Sequence, residues 1–227
     1  MKCEIKYSPQ NVDEIIFPNA AVESQIRAYA EGYMSGSLIF WGPNGTGKSS
    51  IAKILINHIG GGYASIETKT YEELVKLDDM REYLMRVSHW ATLTTSGKHF
   101  LLLEEFDAQT KKMETFWTTL DACGDHLMVI ITTNNLMSIH KSLRSRMTTI
   151  EMPLLTPQQV LPRAQEILRA EGINLPNAQV LHYLHKMANP QELRNYMKVL
   201  DQLIAFRKMG MDYPQWQSTQ PKLVIVP

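Results

Sequence analysis

The 227-residue sequence has only two cysteines, no surplus of either charge and no long apolar run. Cys3 and Cys123 form neither a CxxC pair nor part of a ligand cluster, which excludes a disulfide framework or a zinc knuckle and suits a reducing compartment. Lys plus Arg equals Asp plus Glu at 23 each, so bulk attraction to a polyanion is excluded and any nucleic-acid contact has to come from a local patch. No apolar stretch approaches the roughly 20 residues needed to span a bilayer. The opening MKCEIKYSPQNVDEII lacks the apolar core of a signal peptide. The expectation is a soluble, intracellular, cytoplasmic protein that makes no use of a membrane. Internal repeats and low-complexity tracts are absent too. What remains, 44% hydrophobic and 20% charged residues, is enough for one ordinary domain and a smaller second one.

Asn19 caps an expected helix running to Glu31, with Gly32 as its stop. Ser37 to Trp41 reads as a buried strand, Lys48 to Ile59 as a helix closed by glycines, and Tyr63 to Thr68 as a further strand. His99 to Leu103 and Leu127 to Thr133 are apolar on both faces, as strands of a parallel sheet covered by helices on both sides should be. Met147 to Met152 reads as a last strand. The fold class is therefore α/β over residues 1–153, a parallel sheet flanked by helices. A small all-helical domain is expected over 154–210. Its helices start at Thr156 (with Pro162 expected to kink or delay the first), at Ala178 and after Asn189-Pro190, the last carrying a stripe of Leu193, Met197, Leu200 and Ile204. The tail 211–227 has no assigned role.

Gly42-Pro43-Asn44-Gly45-Thr46-Gly47-Lys48-Ser49 matches the phosphate-loop pattern GxxxxGK followed by Ser or Thr, directly after a strand and directly before a helix. Small residues let successive amides converge on phosphate oxygens at the positive end of the helix dipole. The expected ligands are ATP and Mg²⁺, with Lys48 on the β- and γ-phosphates, Ser49 on the metal and Ser50 on the same first turn. The strand ending at Leu103 delivers Glu104 and Glu105 to the sheet edge where ligands bind in such folds. Glu104 fits a metal-side carboxylate, one methylene longer than the usual Asp, and Glu105 fits the group that orients or deprotonates water. Asn134, at the end of the next apolar strand, either fixes that water by its amide or belongs to an ordinary Asn-Asn turn.

In order along the chain these marks resemble the AAA+ ATPase family, and within it clamp-loader subunits of the replication factor C type. Lys6-Tyr7-Ser8-Pro9 with Asp13-Glu14-Ile15 is similar to the family's N-terminal box, which places Tyr7 by the adenine pocket. LLLEEFD from Leu101 to Asp107 resembles Walker B, and Asn134 matches sensor 1. Ser145-Arg146-Met147 resembles the SRC motif, and Arg146 lies 12 residues after Asn134. Arg194 matches sensor 2, and Ala170-Glu171-Gly172-Ile173 is similar to the family's lid. The resemblance covers about residues 4–205. It departs from the family at Glu104 in place of Asp, Ser8 in place of Arg and Met147 in place of Cys, and a counterpart of the family's collar domain is not expected within these residues.

The resemblance implies that Arg146 acts in trans on a neighbour's ATP (Arg144 being the competing candidate), and that Arg194 contacts the γ-phosphate. Lys111 and Lys112 are either DNA-phosphate contacts or solvated lysines at a helix end. The implied protein is an oligomeric ATPase that self-associates or joins a mixed AAA+ ring, with DNA and a sliding clamp or other replication protein as partners. The alternatives are a DNA-coating regulator or helicase loader, and a nucleotide-locked scaffold with little turnover.

Overall fold

The computed structural model describes residues 2–61, 66–94, 96–106, 114–188 and 191–211. Lys111, Lys112, Asp107 and the expected tail beyond Met211 lie outside the described residues. The chain forms two compact units. One is Pro9–Leu155; the other combines Met1–Ser8 with the chain from Thr156 onward.

In the first unit a five-stranded parallel sheet has the order β2-β3-β4-β1-β5. Its strands are β1 (Leu38–Trp41), β2 (Ile66–Thr70), β3 (His99–Glu104), β4 (Leu127–Thr133) and β5 (Thr148–Glu151). Side chains alternate across the pleat. Ile39, Leu101, Leu103, Val129 and Ile131 therefore enter one buried cluster, and Leu38, Phe40, Phe100, Leu102, Met128 and Ile130 enter the other. Both faces are covered, which is why these strands read as unbroken apolar runs. β2 is an edge strand with partly exposed residues, and the first three residues of the strand expected from Tyr63 lie outside the described residues.

Helix α2 (Ala20–Ala30) is capped by the Asn19 side chain as anticipated, and α3 (Lys48–Ile59) has the expected bounds. α4 (Tyr71–Val75) opens on a Thr70–Glu73 capping box, and α5 (Met80–Trp90) opens on Asp79. Neither was expected from the sequence. α6 (Glu114–Cys123) and the short α7 (Lys141–Arg144) follow.

The helical unit contains a single turn at the N-terminus, α1 (Cys3–Lys6), with α8 (Pro157–Ala170), α9 (Asn177–Met187) and α10 (Leu193–Lys208). α8 begins at its Thr156–Gln159 capping box and continues past Pro162 as one helix, so the expected delay does not occur. The buried face made by Val160, Ala164, Ile167 and Leu168 holds the turn that proline leaves one hydrogen bond short.

The first residues, read from sequence as part of the sheet domain, group instead with these helices. The reason is specific bonding: the Cys3 amide donates to Asp201 at 2.8 Å, and the Tyr7 hydroxyl donates to Glu171 at 2.8 Å.

Candidate nucleotide site

The loop leaves β1 at Gly42 with φ +144°, where an added Cβ would stand 2.2 Å from the Met152 carbonyl oxygen. Only glycine fits there, because β5 and its continuation run directly alongside. The Gly42 amide donates to Thr133 O at 3.3 Å, which ties the loop to the end of β4. Gly47 (φ +86°) caps α3 with no side-chain hydrogen bond, leaving the first-turn amides without a side-chain acceptor at the positive end of the helix.

Lys48 is the centre of this arrangement. It is 8% exposed, and its ammonium donates to Gly42 O (2.8 Å), Pro43 O (2.6 Å) and Asn134 Oδ1 (3.0 Å). Burial pushes its pKa below the ordinary lysine range, and the nearby Glu105 carboxylate pulls the other way. A buried cation satisfied by three neutral oxygens lacks a full counter-charge, so the loop is electrostatically suited to an anion.

Glu104 and Glu105 leave β3 differently. Glu104 pairs with Lys53 of α3, Oε1 to Nζ, at 3.1 Å. Glu105 is exposed and takes φ +51°, the sole non-glycine positive φ among the described residues. That conformation costs about 1–2 kcal/mol. It is held by Glu105 N–H to Thr132 Oγ1 (3.3 Å), by Phe106 N–H to Thr132 O (2.9 Å), and by burial of Phe106 edge-on against Tyr71. Backbone strain of this kind tends to cluster at functional sites.

The residues present fit a magnesium nucleotide. Ser49 and Lys53 are one turn apart on α3, so the Lys53–Glu104 pair brings a carboxylate to the same helix face as the Ser49 hydroxyl. A hydroxyl and a carboxylate, both hard oxygen donors, are the ligand types that suit Mg²⁺.

The profile of the ATPase family associated with various cellular activities (AAA) matches residues 38–154, just over half of the chain. The chain belongs to the AAA family. The matched segment contains the sheet from β1 to β5 together with the loop, Glu104, Glu105 and Asn134.

Relatives narrow the neighbourhood. Replication factor C small subunit 2 of Pyrobaculum islandicum is 24% identical over 75% of this chain and 54% of its own length. The sliding-clamp-loader large subunits of Enterobacteria phage T4 and Escherichia phage RB69 are 24% and 26% identical, over 92% and 88% of this chain and 65% and 63% of theirs. The chain thus spans between about half and two thirds of these curated relatives. Solved structures of Thermotoga maritima RuvB variants share the fold, with TM-scores of 0.69 and 0.71 at 16% and 14% identity. They cover 92% and 91% of this chain, which covers 70% and 68% of theirs.

Within the sheet unit, Arg146 of this AAA chain lies at the other end of the strands from the loop. Arg146 precedes β5, whose first residue registers with Leu38 at the start of β1, whereas the loop follows the end of β1. Four strand residues, about 13 Å, separate those two edges. Arg146 Nε contacts Asp121 at 2.9 and 3.1 Å, and its Nη1 donates to Ser142 O at 2.8 Å. Arg144 donates to the Met137 sulfur.

Within the helical unit, Arg194 is 62% exposed and bonds Glu4 at 3.3 Å. Tyr7 and Lys6 both bond Glu171, which Lys208 also approaches at 3.5 Å. Hydrogen bonds from Lys6 first, then Tyr7, hold the Glu171 carboxyl at about 2 against the opposing effect of burial. Sequence reasoning missed Lys53 and Asp121. Lys53 had one legible signal, its position one turn after Ser49; Asp121 had none.

Among the described residues no helix is long and apolar enough to cross a membrane.

Proposed function

We propose that the chain is an ATP-hydrolysing subunit of clamp-loader type, which binds ATP with Mg²⁺ and works in an assembly on DNA. The observation that carries this reading is the shared Lys48 ammonium, held by the glycine loop and by Asn134 together. Walker A and sensor 1 are thereby wired to one cation. A γ-phosphate arriving at the loop would draw Lys48 from its carbonyl partners and release the Asn134 amide to hold water. Glu105, set off the strand by its positive φ, is the group proposed to take that water's proton. Bound Mg²⁺ would neutralise charge on the phosphates, with Ser49 and Glu104 holding it.

Arg146 lies at the opposite end of the strands from its own loop, which supports action on a second subunit's nucleotide. The relatives' printed names favour a sliding clamp as partner and an assembly of several subunits; a ring of identical or mixed AAA+ subunits is proposed for that assembly. Arg194 and Tyr7 are proposed to act from the helical unit, on phosphate and adenine respectively. Lys111 and Lys112 are proposed as sequence-independent DNA-phosphate contacts.

The Lys53–Glu104 ion pair favours a second reading, a scaffold that holds nucleotide with little turnover. Calorimetry of wild type with ATP and Mg²⁺, followed by turnover with primed DNA and a sliding clamp, tests both. Stimulation by both additions supports the loader. Uptake without stimulated turnover supports the scaffold, and stimulation by DNA alone in large assemblies supports a DNA-coating regulator. Glu105→Gln should bind nucleotide normally and lose about a hundredfold or more in turnover. Absence of nucleotide uptake by folded wild type would end the proposal.

A further inference from the structure

Charges around the loop are paired crosswise. Lys48 is buried yet donates to uncharged oxygens, whereas Glu104, the expected metal-side carboxylate, is neutralised by Lys53. Both lysines belong to α3, and Lys53 is half exposed while Glu104 is about a quarter exposed. The extra methylene of Glu over Asp lengthens the reach of the carboxylate, and the ammonium it meets is 3.1 Å away.

We propose that Lys53 sets the divalent-cation affinity of the site by competing for the Glu104 carboxylate. The inference rests on the nucleotide and metal reading above and deepens it. The Lys53 ammonium sits on Glu104 Oε1 and offsets the carboxylate charge, so a dication meets that charge in full only once Lys53 lets go. Release is easy because half of the Lys53 side chain is already in water and swings outward without further desolvation. A phosphate-bound Lys48 and a metal-facing Glu104 would then both have gained a full counter-charge, and Lys53 would return to solvent. An exposed pair of this kind sets a modest threshold, up to about fivefold in apparent cation affinity.

The test compares ADP binding by calorimetry in Mg²⁺ with ADP binding in EDTA, on the whole chain. The ratio of the two affinities reports cation coupling without any turnover. Lys53→Met should raise that ratio by up to about fivefold, and Lys53→Arg should leave it at the wild-type value. In a Glu104→Gln background the Lys53→Met change should have no effect. Lys53→Gln, with thermal midpoints for every variant, guards against a folding artefact. Equal ratios in wild type and Lys53→Met, both binding ADP and melting alike, would overturn the proposal while leaving the nucleotide reading intact. Wild type that takes up no ADP under either condition would overturn both.

Discussion

Replacing Gly42 by alanine tests the loop geometry most directly. The added Cβ would lie 2.2 Å from Met152 O and 2.9 Å from Met152 C, inside the 3.0 Å below which Cβ contacts are essentially never found. The neighbour is backbone and cannot rotate away. It is also pinned, since the Met152 amide donates to Trp41 O at 2.7 Å and Gly42 donates to Thr133 O. The cost has two parts, overpacking at about 1–3 kcal/mol and a glycine-only backbone conformation at about 1–3 kcal/mol. Together about 2–6 kcal/mol should lower the thermal midpoint of a domain this size by about 4–24 °C.

Differential scanning fluorimetry reads the shift. Gly124→Ala is the control, with φ +56° and nothing within 4 Å of the new Cβ, so only the left-handed backbone cost of about 1–2 kcal/mol applies. The loop should also lose nucleotide affinity, because the backbone must move where its amides converge. If Gly42→Ala melted with wild type and bound ATP normally, the contact between the loop and Met152 would be wrong, and with it the argument for why the pattern begins with glycine.

Other outcomes follow from the same structure. Glu171 has its pKa lowered from 4.5 to about 2, so its interactions stabilise above the unfolded value and are lost as pH falls from about 4.5 towards 2. Melting of wild type should fall across that window, and Glu171→Gln should start lower and fall less; identical profiles would remove Lys6 and Tyr7 as the cause. Arg146→Ala should keep nucleotide affinity and lower turnover only in assemblies. Mixing it with a Lys48→Ala subunit, which has a defective loop but an intact Arg146, should restore part of that turnover if the arginine acts in trans, and equal stimulated turnover in Arg146→Ala and wild type would remove it from the site.

The fold was legible wherever local signals were unopposed. β3 and β4 are uninterrupted apolar runs because both sheet faces are covered, and α3 follows a glycine loop whose pattern admits few alternatives. α4 and α5 escaped notice because their buried residues, Leu74, Tyr83, Leu84 and Val87, are spread among charged ones and their start signals, Thr70 and Asp79, are common residues. Pro162 misled because intrinsic preference was outweighed by the burial of a helix face. Residues 2–8 were misassigned because nothing in a short polar stretch tells which distant helix will bond it.

The sequence alone determined a phosphate loop, two acidic residues at a strand end and a polar strand end beside them, because these depend on residue type and spacing along one chain. Only the tertiary structure decided which charges meet. Lys48 shares Asn134 across 86 positions, Glu104 is held by Lys53 of a helix that precedes it, and Arg146 is aligned by Asp121 at the opposite edge of the sheet. Such pairings are set by strand order and register, which bring remote positions together at fixed distances that spacing in a linear chain does not encode.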